Sequence, residues 1–229
     1  MLVIPSIDLE GGRAVKRIRG VRGRYIFVGN PLELAERFKE APLVHIVDLD
    51  GAEAGRPVNA EVVKAVKAEL NGECELGGGL RSVGAIEQAL SLCEYAVVGT
   101  LPFTNPAEFE RARDKFGDRL VVSIDVKGGL VMGSGWAQPL ASIEEAAALL
   151  SRVRPAAVIY TAVDVEGTGL GPSLKYAELL RGAARRIYYA GGIADCGHLM
   201  AVKAAGFDGA IVGYALYKGN LSCVKDFQV

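Results

Sequence analysis

The segment Ser6-Ile7-Asp8-Leu9-Glu10-Gly11-Gly12 returns about half a chain later as Ser123-Ile124-Asp125-Val126-Lys127-Gly128-Gly129. Each copy is an apolar run that ends in an aspartate and a glycine pair. Three further pairs follow in the same order. Val47-Asp48-Leu49-Asp50-Gly51 matches Val163-Asp164-Val165-Glu166-Gly167, Gly78-Gly79-Leu80 matches Gly191-Gly192-Ile193, and Ala96-Val97-Val98-Gly99 matches Ala210-Ile211-Val212-Gly213. Four matched segments in one order describe a half-unit used twice. Any fold for this chain must therefore divide into two equivalent halves.

Short apolar runs alternate with helical patterns throughout. The runs Leu2–Ile7, Val44–Leu49, Cys74–Leu76, Tyr95–Val98, Leu120–Val126, Ala157–Thr161, Ile187–Ala190 and Gly209–Val212 are continuously apolar, as expected of strands covered on both faces. Between them, Asn59 is placed to cap a helix reaching Leu70, and Ser142 to cap Ile143–Val153. Pro31 and Pro106 suit the first turns of Leu32–Lys39 and Ala107–Phe116, and Ser173–Leu180 and Asp195–Ala205 follow the same logic. Eight strands, each followed by a helix or helical turn, predict an α/β chain: a (β/α)8 TIM barrel built from two repeated half-barrels. It forms a single domain over 1–229, with halves at about 1–115 and 116–229. An open doubly wound sheet is the alternative, but it has no need of matched halves.

With 26 basic and 27 acidic residues the chain has no long-range field to favour nucleic acid or a membrane surface. Neither a signal peptide nor a span-length apolar run is evident, so a cytoplasmic protein is expected. The four cysteines, Cys74, Cys93, Cys196 and Cys223, show no paired spacing. They read as buried free thiols, with bridges expected only if the source is a hyperthermophile.

In such barrels the reactive groups sit where strands end and loops begin. Asp8 and Asp125 close strands one and five, which lie opposite each other in an eight-stranded barrel. One carboxylate can then protonate a substrate while the other removes a proton, provided their surroundings separate their pKa values. The glycine turns Gly78-Gly79 and Gly99-Thr100, with their repeats Gly191-Gly192 and Gly213, suit phosphate cradles. Two cradles imply a ligand with a phosphate at each end. His45 is a candidate substrate contact just inside the mouth. Trp136, the only tryptophan, follows Gly133-Ser134-Gly135 in the loop beside Asp125 and suits stacking on a planar heterocycle. The loop from Gly11 to Asn30, with Arg13, Lys16, Arg17, Arg19, Arg22 and Arg24, reads as a basic flap or a lid. No metal-ligand spacing occurs around His45, His198 or the cysteines.

Taken together with Ile4-Pro5, His45-Ile46-Val47-Asp48-Leu49-Asp50-Gly51-Ala52, Gly78-Gly79-Leu80-Arg81, Gly135-Trp136, Thr161 and Gly167-Thr168, these segments make the chain resemble the ProFAR isomerase family of histidine biosynthesis over its full length. The resemblance implies an Amadori rearrangement of a bis-phosphorylated aminoaldose to an aminoketose, without cofactor or metal. It implies Asp8, Asp125 and Thr161 as catalytic groups. Substrate or phosphate contacts are implied at Lys16, His45, Gly78, Gly79, Arg81, Gly99, Thr100, Trp136, Gly167, Thr168, Gly191, Gly192 and Gly213. Asp125 is expected to be the acid and Asp8 the base, although the near-symmetry leaves that assignment open. A monomer is expected, whose partner is the small-molecule substrate alone. The chain departs from the family's usual pattern at Arg17, Arg19, Ala162 and Val165. Alternatives are an isomerase that also accepts phosphoribosyl anthranilate, the sister cyclase, and a non-catalytic phosphoribosyl-ligand binder.

Overall fold

The computed structural model describes residues 1–227, apart from the side chains of residues 19 and 226. The strands are β1 (Leu2–Glu10), β2 (Arg13–Arg17), β3 (Tyr25–Gly29), β4 (Leu43–Asp48), β5 (Glu73–Gly77), β6 (Tyr95–Val98), β7 (Leu120–Lys127), β8 (Leu130–Gly133), β9 (Gln138–Ser142), β10 (Ala157–Ala162), β11 (Ile187–Ala190) and β12 (Gly209–Val212). The parallel strands follow the hydrogen-bonded order β10-β11-β12-β1-β4-β5-β6-β7, and β7 pairs again with β10. This is a (β/α)8 barrel. The remaining strands form antiparallel hairpins: β2 and β3 extend β1, and β8 and β9 extend β7.

Two compact units divide the chain, Ile4–Leu120 and Val121 onward with Met1–Val3. In the first, α1 (Pro31–Arg37), α2 (Leu49–Ala54), α3 (Ala60–Glu69), α4 (Val83–Leu90), α5 (Leu101–Thr104) and α6 (Pro106–Phe116) connect the strands. In the second these are α7 (Ile143–Val153), α8 (Ala177–Leu180), α9 (Cys196–Ala204) and α10 (Tyr214–Tyr217). The strands bury Ile4, Ile7, Ile46, Leu76, Val122, Ile124, Ile159 and Tyr189 almost completely, which is why they lack the apolar–polar alternation of half-exposed strands. Helix starts are defined by side-chain caps: Asn30, Ser82, Asn105, Ser142 and Asp195 each accept from a backbone N–H in the first turn. Among the described residues no helix is long and apolar enough to cross a membrane.

Several sequence expectations are corrected. The cysteines are not free thiols. Cys74 bridges Cys93 and Cys196 bridges Cys223, and no free cysteine is left among the described residues. The first bridge follows from register, since the parallel pairing of Glu75 with Tyr95 sets the starts of β5 and β6 side by side. The two regions read as loops fold back as hairpins: Ala14, Val15 and Lys16 pair with Gly29, Val28 and Phe27 despite the surrounding arginines, and Val131 pairs with Ala141 in the second. Asn59 precedes α3 without capping it by its side chain. The amide instead donates to Asp48 and Asp50 and accepts from the Gly12 N–H. Helix α8 is a single turn rather than Ser173–Leu180.

Candidate active site

In the first unit Asp8 sits near the end of β1, paired in register with Val15 of the first hairpin and Val47 of β4. Lys16 Nζ lies 3.2 Å from Asp8 Oδ2, with the two side chains 17% and 14% exposed. That shielding separates the pair from an ordinary surface ion pair worth little. Two further cations of this hairpin, Arg17 and Arg22, are also engaged. Arg17 donates to Glu10 at 2.8 Å and to Glu53 at 3.4 Å, and Arg22 pairs with Glu10, Asp50 and Glu53. Burial alone would raise the Glu10 carboxyl, but the bonds from Arg17 and Tyr25 and the charges of Arg17 and Arg22 hold it below the usual range. The flap is therefore an ion-paired hairpin fastened to β1 and α2. The side chain of Arg19 lies outside the described residues.

In the second unit Asp125 occupies the matching place on β7, in register with Thr161 of β10 and Met132 of the second hairpin. Its neighbours differ. Trp136 Nε1 donates to Asp125 Oδ2 at 2.8 Å, Ser123 Oγ lies 3.4 Å from Oδ1, and the Thr161 side chain forms a third bond. Burial pushes the Asp125 carboxyl above its ordinary range, although the bonds from Trp136 and Thr161 oppose it. The Glu166 charge pushes it further up, and the Ser123 bond pulls it back. Sequence reasoning misses Ser123, although it stands two residues before Asp125 and a strand places both on one face.

The matched glycine pairs are held by acids. Gly11 N–H donates to Asp50 at 2.7 Å and Gly128 N–H to Asp164 at 3.0 Å. Asp48 is an internal organiser, 1% exposed, accepting from Gly51, Val58 and Asn59 backbone N–H groups. The glycines after β5 and β11 answer first to the protein itself. A Cβ on Gly79 would meet the Gly51 carbonyl oxygen at 1.9 Å, and one on Gly192 would meet that of Gly171 at 2.2 Å, both at positive φ. The turns are thus required by close backbone packing between successive loops. Gly99-Thr100 and Gly213 lead into α5 and α10, whose first turns have no side-chain cap.

Three other candidates have partners within their own unit. His45 lies in the interior row of Ser6 and Glu75, three residues before the end of β4. Its Nδ1 is 2.7 Å from Glu75 Oε1, and Glu75 is fully buried with Oε2 unpartnered. Arg81 donates to the Ala52 carbonyl at the end of α2. Thr168, after Gly167, donates its hydroxyl to the Val165 carbonyl at 2.7 Å and accepts from Leu170 N–H.

A fold of this kind with matched strand-end aspartates is that of a barrel enzyme, and the comparisons narrow the class. Residues 2–222 match the family described as histidine biosynthesis protein, and the chain belongs to that family. A protein of Pyrobaculum aerophilum is 59% identical over 222 residues, covering 96% of this chain and 97% of its own. It is a 1-(5-phosphoribosyl)-5-((5-phosphoribosylamino)methylideneamino) imidazole-4-carboxamide isomerase. Proteins of the same name from Roseiflexus sp. and Trichlorobacter lovleyi are 35% and 38% identical, each covering 97% of this chain and 96% and 94% of their own.

Proposed function

We propose that residues 1–229 act as one catalytic domain that isomerises this phosphoribosyl aminoaldose to its aminoketose in histidine biosynthesis, as a monomer in the cytosol. The observation that carries the reading is the unequal setting of the two matched aspartates. Asp125 is part-buried with its carboxyl raised by desolvation, the condition of a general acid, whereas the Asp8 side chain pairs with the Lys16 ammonium and is left to take the proton.

Asp125 gives its proton to the ribose ring oxygen as the C1–O bond breaks, leaving an iminium between C1 and the amine nitrogen. Thr161, bonded to the same carboxylate, holds it in line. The iminium is the electron sink that makes the C2 hydrogen acidic, so no cofactor is called for. Asp8 takes that hydrogen as a proton. The enolamine then gains a proton at C1 while its C2 hydroxyl becomes the ketone. Net transfer is one proton from Asp125 to Asp8. The amino ends of α5 and α10, one in each unit, supply uncapped N–H groups for the two phosphates. Trp136 stacks on the imidazole during turnover. His45, held through Nδ1 by Glu75, keeps its other ring nitrogen for the substrate.

The test is turnover of the ribotide by the purified protein, coupled to an added cyclase with ammonia and followed by absorbance loss. Signal dependent on this protein is the expected result; cyclase activity on the ketose instead would overturn the reading. The same assay with phosphoribosyl anthranilate separates a one-substrate from a two-substrate isomerase.

A further inference from the structure

The interior row that holds His45 is built differently in the two halves. In the first unit the ladder sets Ser6, His45, Glu75 and Tyr95 side by side on β1, β4, β5 and β6. In the second unit the row that starts at Ser123 continues through Ile159 on β10 and Tyr188 on β11, both buried. The scaffold therefore needs no charged pair in this row. A buried ion pair is often no more stabilising than apolar residues of similar volume, so His45 and Glu75 answer to something other than packing.

Glu75 Oε1 lies 2.7 Å from His45 Nδ1, the carboxyl is fully buried, and Oε2 has no hydrogen-bond partner. A lone carboxylate in such a place is strongly disfavoured, and neither Ser6 nor Tyr95 brings a cation to it. The layer above, toward the strand ends, is Asp8, Val47 and Gly77, and its one nearby ammonium, Lys16, pairs with Asp8. Charge balance therefore asks the pair to hold one proton more than a carboxylate beside a neutral imidazole. That proton sits either on Nδ1, giving carboxylate and imidazolium, or on Glu75, whose O–H then donates to Nδ1. In both arrangements Nε2 carries a hydrogen.

We propose that Glu75 is a positioning residue that makes His45 a hydrogen-bond donor, through Nε2, to the substrate oxygen that becomes the ketone. This deepens the isomerase reading and rests on it. The pair stands one layer beneath Asp8, and the oxygen His45 meets is the one on C2, the carbon Asp8 deprotonates. The hydrogen stays on Nε2 throughout. Its bond strengthens as the hydroxyl gives way to a carbonyl, so it favours the transition state over the bound aldose.

His45 and His198 are the only histidines, so ring-nitrogen spectra of 15N-histidine-labelled protein are readily assigned with a His198→Gln variant. In the ligand-free protein at assay pH we expect His45 Nε2 to carry a hydrogen. Glu75→Gln should keep that hydrogen and stay within a few-fold of wild-type kcat, because the amide can donate to Nδ1. His45→Ile combined with Glu75→Leu gives an apolar row like that of the other half. It should unfold in urea no earlier than wild type, yet lose on the order of 10²-fold in kcat, the worth of one such donor. A bare Nε2 in the wild-type spectrum, a Glu75→Gln protein as slow as the double variant, or a double variant with wild-type kcat would each overturn the proposal. The spectra are taken without substrate and stand apart from the isomerase reading, which fails where the wild-type protein itself shows no turnover.

Discussion

The two copies of the heptad place an aspartate at the same point of equivalent strands, yet the carboxylates differ because the hairpins behind them differ. After Asp8 the chain turns at Gly11-Gly12 into a hairpin that returns a lysine to it. After Asp125 it turns at Gly128-Gly129 into a hairpin that returns an indole. Each glycine turn is pinned by an acid of the next strand end, but at different repeat positions: Asp50 in one half, and Asp164, the match of Asp48, in the other. The chemistry is carried by a single side chain on each hairpin. A duplicated scaffold thus supplies two identical groups, and the hairpins give them different partners, an ammonium for Asp8 and an indole for Asp125.

The comparison is broken most directly at the aspartates. Asp8→Asn and Asp125→Asn should each lower kcat by a factor on the order of 10² to 10⁴, since each removes one proton-transfer group. Their residual activities should differ with pH. An acid works only while it holds its proton, and a raised carboxyl holds it further up the pH scale. Wild-type and Asp8→Asn activity should therefore fall on the alkaline side as Asp125 ionises, and Asp125→Asn should lose that limb. Identical profiles in the two variants would remove the distinction between the halves.

Each half also carries one disulfide, closing sequence separations of 19 and 27 residues. Loop-closure entropy puts both near about 3 kcal/mol. Replacing either pair by alanine should lower the denaturation midpoint by a similar amount. The kcat should not change, because neither bridge touches Asp8 or Asp125. Unequal losses in urea unfolding would show that the halves rely on their bridges to different degrees.

Lys16→Met tests the anion side alone. A charge-assisted bond is worth about 1.5–3 kcal/mol, so the expected fall in kcat is roughly tenfold to a hundredfold. A variant with wild-type kcat would return Lys16 to a purely structural place.

The barrel and its halves were legible because buried parallel strands leave continuous apolar runs and the repeat fixes their pairing. The places of Asp8 and Asp125 at strand ends and of Trp136 beside glycines were legible for the same reason. The hairpins were not. Their residues read as a basic flap because Arg17 and Arg22 find their acids on the preceding strand, at Glu10, and on a segment far away in sequence, at Asp50 and Glu53. The Cys74–Cys93 bridge was hidden by attention to spacing, although Cys74 stands at the start of β5 and Cys93 just before its neighbour β6. His45 was placed at the mouth by counting toward Asp48. Its buried partner Glu75 lies on the next strand, and only register reveals it.

The smallest expected effect concerns how each half starts a helix. Ser142 accepts from Glu145 N–H, and the Glu145 carboxylate accepts from Ser142 N–H, forming a capping box at α7. In the other half Asn59 stands before α3 but spends its side chain on Asp48, Asp50 and Gly12. Ser142→Ala should therefore cost about 1 kcal/mol, the worth of a cap. Asn59→Ala should cost more, because it leaves the buried Asp48 short of a donor and unties the Gly11-Gly12 turn beneath the first hairpin. It should also lower turnover by loosening the hairpin that carries Lys16, which Ser142→Ala should not. Paired urea unfolding and kcat measurements on the two variants decide it, and an Asn59→Ala protein with wild-type kcat would show that the hairpin holds Lys16 in place without that turn.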